Sequence, residues 1–193
     1  HRFQIDGSQI EIAKCNRVGL KNLGMTCYLN ATLQQFYSIK PFRYAIMNYN
    51  GDNEFMKQLA FLFQNMKYSK TKSVTTQGFV DNFLLMGEKL NPRCQQDATE
   101  FILSFFDLFQ DDQYYKNLVD ELFKVVITNS IRGLENDDYY ENDTNEPSYV
   151  FELEVNKQLH SINDGFEHFI KPNYLTGQNM YRIGRDKLIN AVN

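Results

Sequence analysis

Among the residue types that can act as nucleophiles, Cys27 stands where its backbone surroundings would activate it. It follows the loop Gly19-Leu20-Lys21-Asn22-Leu23-Gly24-Met25-Thr26, in which two glycines permit the backbone angles of a tight turn. Leu29, Leu33 and Phe36 then recur at helical spacing until Pro41 bars continuation. This spacing predicts that Cys27 lies in the first turn of a helix. There the unpaired N–H groups and the positive end of the helix dipole favour thiolate over thiol. Asn22 supplies a second group, because an amide donor held near an attacked carbonyl carbon would stabilise an oxyanion, worth roughly 10²–10³ in rate. An inert role fits the same pattern: cysteine is among the most buried residue types and often serves as a small hydrophobe.

The stretch Gly19-Leu20-Lys21-Asn22-Leu23-Gly24-Met25-Thr26-Cys27-Tyr28-Leu29-Asn30, followed by Leu33-Gln34-Gln35, closely resembles the cysteine box of the ubiquitin-specific proteases, the papain-like deubiquitinating enzymes. A second motif, Gln95-Gln96-Asp97-Ala98-Thr99-Glu100-Phe101, resembles the family's Gln-Gln-Asp-Ala-x-Glu-Phe segment. By that resemblance Gln95 and Asp97, and with them Glu100, would hold the extended C-terminal tail of ubiquitin. Taken without the cysteine box, the same acidic residues read as helix capping and a favourable dipole interaction. The tail-holding role implies that Asp97→Ala weakens ubiquitin binding while leaving thermal stability nearly unchanged. A third run, Leu175-Thr176-Gly177-Gln178-Asn179-Met180-Tyr181, is similar to the family's Leu-x-Gly-x-Asn-x-Tyr segment.

The elements that must position these groups are legible in the periodicity. Residues 1–18 read as an extended lead-in in which Phe3, Ile5, Ile10 and Ile12 alternate with polar neighbours. Asn53 offers a cap for an amphipathic helix carrying Phe55, Leu59, Leu62, Phe63 and Met66. A third helix is predicted over 76–85, capped by Thr75 or Thr76, with Phe79, Phe83 and Leu84 inward. The fourth carries the broad stripe Ala98, Phe101, Ile102, Phe105, Leu108 and Phe109. Beyond Leu122 the period becomes two: strands are predicted at Phe123, Val125, Ile127 and again at Tyr149, Phe151, Leu153, Val155. The charged run 135–143 between them reads as a solvated loop, and 161–169 as a short helix with Ile162, Phe166 and Phe169 inward. The expected fold class is α+β. The resemblance implies a hand-like catalytic domain, with a lead-in at 1–18, a helical thumb at 19–122, β-rich fingers at 123–193 and an incomplete palm.

With 193 residues and no long apolar run, the chain has room for one substantial core or two small ones, and no membrane span is expected. It begins at His1 and stops in a polar stretch, so it reads as a piece of a longer protein. A formal net charge of −4 argues against a nucleic-acid surface. The three cysteines, Cys15, Cys27 and Cys94, form no CxxC pair, which points to a reducing intracellular compartment and no cysteine zinc site. No cofactor is implied.

Two departures from the family pattern bear on function. Many members clamp the fingers with paired CxxC cysteines, whereas residues 128–134 and 181–187 contain none, so sheet packing is expected to hold this region instead. The thiol also needs a histidine and an orienting Asp or Asn. His160 and His168 lack the glycine-rich context of the family's histidine box and read as surface residues, so the base is expected from beyond this sequence. The favoured reading is a thiol-dependent ubiquitin hydrolase acting on ubiquitinated proteins. A non-catalytic ubiquitin-binding relative of the same fold stays open. A helical domain with an unrelated buried cysteine fits poorly, since two motifs agree in order and position.

Overall fold

The computed structural model describes residues 18–134, 140–183, 185 and 187–193. The predicted lead-in, except Val18, and residues 135–139 of the charged run lie outside these residues. The architecture is α+β, in two compact units that meet in sequence between Leu122 and Phe123.

The first unit begins with β1 (Gly19–Leu20), followed by α1 (Cys27–Ser38), α2 (Lys40–Met47) and α3 (Glu54–Tyr68). Helix α1 ends at Ser38, short of Pro41 as the spacing predicts, and Pro41 occupies the first turn of α2, where a missing N–H costs nothing. The Asn53 side chain caps α3 by accepting from the Met56 N–H at 3.1 Å. After β2 (Ser73–Val74) comes α4 (Gln77–Asn82), shorter than the predicted 76–85. The chain turns extended at Phe83 and forms the hairpin β3 (Leu84–Leu85) and β4 (Glu88–Lys89). Met86 (φ 50°) and Gly87 (φ 85°) give its two-residue turn the positive angles that match strand twist. Period-two geometry replaces helical geometry here, so Phe83 and Leu85 are buried while Leu84, expected inward, is 46% exposed.

Helices α5 (Ala98–Asp107) and α6 (Gln113–Phe123) complete the unit, the latter not anticipated from the sequence. The core is a cluster of phenylalanines contributed by each principal helix. Phe105 of α5 sits within it, 4.8 Å from the ring of Phe36, 5.2 Å from Phe109 and 6.0 Å from both Phe55 and Phe101. Aromatic pairs at these separations add stabilisation beyond the area they bury.

In the second unit, β5 (Val125–Gly133) pairs antiparallel with β6 (Glu141–Ser148), from Val125↔Ser148 to Arg132↔Glu141. Strand β6 therefore occupies polar sequence that reads as loop, and Tyr149–Val155, which reads as strand, has no regular structure. The register explains the exchange. An exposed two-stranded ribbon needs backbone partners rather than an apolar face, and 149–155 finds no partner strand among the described residues. Pro147 is tolerated because β6 is an edge strand.

Helix α7 (Ile162–Phe169) starts at Ser161, whose Oγ accepts the Asp164 N–H at 3.1 Å. Its inward contacts are Phe166 and Phe169 against Phe151, at 5.2 and 4.7 Å, and Gly165 against Leu153. Ile162, expected inward, is 72% exposed. Strands β7 (Tyr174–Leu175) and β10 (Ala191–Val192) extend the sheet in the order β6-β5-β10-β7, and β8 (Tyr181–Ile183) pairs with β9 (Lys187–Ile189). Antiparallel ladders thus run through both cysteine-free stretches, β5 pairing with β6 and β10 and β8 with β9.

Candidate active site

The loop before Cys27 is built from its ends inward. Strand β1 lies parallel to β2, and the Gly19 N–H donates to the Lys72 carbonyl while the Lys21 N–H donates to that of Val74, both at 2.9 Å. From the other side α1 grips the same strand. Asn30 donates from Nδ2 to the carbonyls of Leu20 and Lys21, at 3.4 and 3.2 Å, and Gln34 donates from Nε2 to that of Val18 at 3.0 Å.

Asn22 organises the turn between them. Its Oδ1 accepts from the Gly24 N–H, the Thr26 N–H and the Thr26 hydroxyl, each at 3.1 Å. Thr26 is fully buried, and its Oγ1 also accepts the Leu23 N–H at 3.1 Å. With its hydroxyl committed to the loop, Thr26 stands at the N-cap of α1 without capping it by its side chain. Cys27 is therefore the first helical residue, it is exposed, and no acceptor among the described residues takes its N–H. Asn22 is exposed as well, and its Nδ2 donates to nothing among the described residues. A thiol, an open backbone donor and an open amide donor thus belong to one short segment. Tyr28, next in sequence, is turned inward; burial pushes its phenol above the usual range, and the neighbouring Cys27 adds to the effect.

The second motif follows directly from the segment on which this loop docks. Gly24 has φ +140°, and a side chain there would place its Cβ 2.7 Å from the Pro92 carbonyl oxygen. The same oxygen accepts the Met25 N–H at 2.7 Å. A turn over 91–94 presents it, with the Asn91 side chain accepting from the Arg93 N–H and the Asn91 carbonyl accepting from that of Cys94. Beyond the turn, Asp97 caps α5: its Oδ1 accepts from the N–H groups of Thr99 at 2.6 Å and Glu100 at 3.2 Å.

That geometry corrects the expectation that Asp97→Ala would spare stability, because the cap is formed. Only Oδ1 is used, however, and Gln95, Asp97 and Glu100 are all exposed. No hydrogen bond or ion pair among the described residues joins Cys27 or Asn22 to these three. The link between the motifs is the Pro92 backbone together with the edge-to-face contact of Tyr28 and Phe101, 5.7 Å apart. The structural parts played by Thr26 and Pro92 escaped the sequence reading. Polar spacing around Asn22 hinted at the first, but a long-range backbone carbonyl leaves no mark in side-chain types.

His160 and His168 both belong to the second unit. His168 Nε2 lies 3.2 Å from Glu154 Oε2, and the His160 N–H donates to Asp164 Oδ2 at 2.8 Å. That backbone donor, with Ser161, holds the Asp164 carboxyl below its usual range.

Comparison with known proteins agrees with the two motifs. Residues 18–174 match the family described as ubiquitin carboxyl-terminal hydrolase. The chain is 31% identical over 175 residues to human ubiquitin carboxyl-terminal hydrolase 34, covering 88% of this chain and 5% of that protein. It is 29% identical over 176 residues to human ubiquitin carboxyl-terminal hydrolase 24, covering 85% and 6%. Against the rice protein ubiquitin carboxyl-terminal hydrolase 26 the identity is 27% over 174 residues, covering 84% and 16%. The chain thus spans a small fraction of these relatives. It belongs to the ubiquitin carboxyl-terminal hydrolase family and carries the N-terminal part of that family's papain-like α+β catalytic domain.

Proposed function

We propose that the protein is a cysteine-type deubiquitinase in which Cys27 attacks the carbonyl of ubiquitin's last glycine. The observation that carries this reading is the pairing of an exposed Cys27 at the first position of α1 with two donors unsatisfied among the described residues, its own N–H and Asn22 Nδ2. Sulfur adds to the carbonyl carbon and the oxygen takes the negative charge between those donors. Collapse of the intermediate breaks the bond to the lysine amine, which leaves with a proton supplied by an imidazole from outside the described residues. Water then hydrolyses the thioester, releasing ubiquitin and restoring the thiol. Gln95, Asp97 and Glu100 hold the extended tail in this reading, with the free Asp97 oxygen available to a tail arginine as a charge-assisted acceptor. The partners are ubiquitin and ubiquitinated proteins, which implies an intracellular address.

A ubiquitin probe carrying a C-terminal electrophile tests the assignment. Labelling of the protein extended to the family's full catalytic domain is expected at Cys27, lost in Cys27→Ala, and absent from Cys94, which is also exposed. Modification at another cysteine overturns the nucleophile. Tight ubiquitin binding without labelling would move the protein to the non-catalytic, ubiquitin-binding reading.

A further inference from the structure

Helices α2 and α3 leave a cleft between them that plays no part in the site described above. Its volume is about 620 Å³, within the range of specific ligand sites. Lys40, Arg43, Tyr44 and Met47 line one wall at successive turns of α2, and Lys67 and Tyr68 line the other from the last turn of α3. The Gln64 side chain ties the walls together, donating from Nε2 to the Met47 carbonyl at 2.9 Å. Three cations line it in a chain whose net charge is −4, and no carboxylate among the described residues lines the cleft. Among the described residues none of the three is in an ion pair.

Arg43 is fixed in place. Its guanidinium donates to the Tyr37 carbonyl at 3.1 Å and lies 4.9 Å from the Tyr37 ring centre. The Lys67 ammonium sits 5.0 Å from the ring of Tyr68. Tyr44 and Tyr68 are 74% and 68% exposed, so large aromatic faces flank the charges instead of joining the core. Exposed aromatics beside unpaired cations are the composition of a recognition surface, where rigid rings give contact area and the cations select the charge of the partner.

We propose that this cleft binds a short acidic peptide segment of a partner protein, with carboxylates on Lys40, Arg43 and Lys67 and an apolar side chain against Tyr44, Met47 and Tyr68. Charge complementarity favours a peptide over an extended polyanion. A duplex or an anionic membrane would bring its negative field up against the acidic remainder of the chain, whereas a segment with a few carboxylates meets only the cleft. The apolar part of the lining likewise has no use in binding a bare phosphate.

Fluorescence anisotropy with a labelled peptide, in which glutamates flank a central leucine, tests this without ubiquitin, so its outcome is separate from that of the proposed hydrolysis. Binding to the chain at low salt is expected, weakening by roughly tenfold or more in the double variant Lys40→Glu, Lys67→Glu and falling further as salt rises. Tyr44→Ala should weaken it several-fold, and a peptide with lysines in place of the glutamates should not bind. Far-ultraviolet melting checks that the variants fold. Should charge reversal unfold the chain, Lys40→Ala with Lys67→Ala gives the same reading with a smaller loss. No detectable peptide binding at low salt, or equal affinity for the parent and charge-reversed chains, overturns the proposal. So does tighter binding of phosphatidylserine vesicles or duplex DNA than of the peptide, lost in the same double variant.

Discussion

Asn22 has a structural duty and, in the proposed function, a catalytic one, and each belongs to a different atom. Its Oδ1 closes the loop through three hydrogen bonds, and its Nδ2 is the donor that the proposed mechanism assigns to the oxyanion. Asn22→Asp keeps two acceptor oxygens and removes the donor. In an extended form of the protein able to turn over ubiquitin substrates, it should lower kcat by roughly 10²–10³ with modest change in KM and a nearly unchanged melting temperature. Asn22→Ala should lose both duties and melt earlier. A kcat unchanged in Asn22→Asp would leave the residue a loop former alone. Asp97 divides in a similar way. Asp97→Asn preserves the N-cap, so stability should hold while ubiquitin affinity falls by about 2–5 kcal/mol if the second oxygen pairs with a tail arginine. Asp97→Ala should add a stability loss of about 0.5–2 kcal/mol. Calorimetric titration beside a thermal melt of both variants separates the cap from the clamp.

At the scale of elements, legibility tracked whether side chains or the backbone decided the structure. Helices α1, α3 and α5 bury an apolar stripe, and Leu29, Leu59 and Phe101 announce those stripes by spacing. Helix α2 was hidden because a proline within an apolar run reads as a stop as readily as a first-turn residue, and only the packing of Phe42 and Ile46 distinguishes them. Strand β6 was hidden more thoroughly. Its residues are almost all polar, and what makes them a strand is the ladder to β5. Arg132 reinforces this ribbon, contacting Glu141 at 2.8 Å and Asp143 at 2.7 Å. Hydrogen bonding to Arg132, then to Ser130, holds the Asp143 carboxyl below its ordinary range. A carboxyl with a depressed folded pKa stabilises above its unfolded value and loses that contribution as the pH falls through the folded one. Amide exchange in β5 and β6 should therefore be slower at neutral pH than in acid, after correction for the intrinsic rate. Arg132→Ala should reduce the difference, and an unchanged difference would remove the pair from the account.

For the molecule as a whole, stability of the first unit rests on its phenylalanine cluster more than on any polar pair. Phe105 is completely buried among rings from α1, α3 and α5, so Phe105→Ala should cost about 3–5 kcal/mol in urea denaturation, the cost of a cavity that aromatic neighbours cannot fill. A loss near 1 kcal/mol would show that the cluster repacks. The cysteine loop and the turn before Asp97 rest on this core and meet at one backbone oxygen. Pro92 presents its carbonyl to the Met25 N–H, and Gly24 leaves no room for a methyl group at that point. Placement of the sulfur is thereby coupled to placement of the turn to which the proposed function assigns the ubiquitin tail. An alanine at Gly24 would push on Pro92, so Gly24→Ala should shift KM and kcat together, and its combination with Asp97→Asn should depart from additivity in a double-mutant cycle. Natural variation at either motif would then be tolerated chiefly in matched pairs, a coevolutionary constraint transmitted through one carbonyl group.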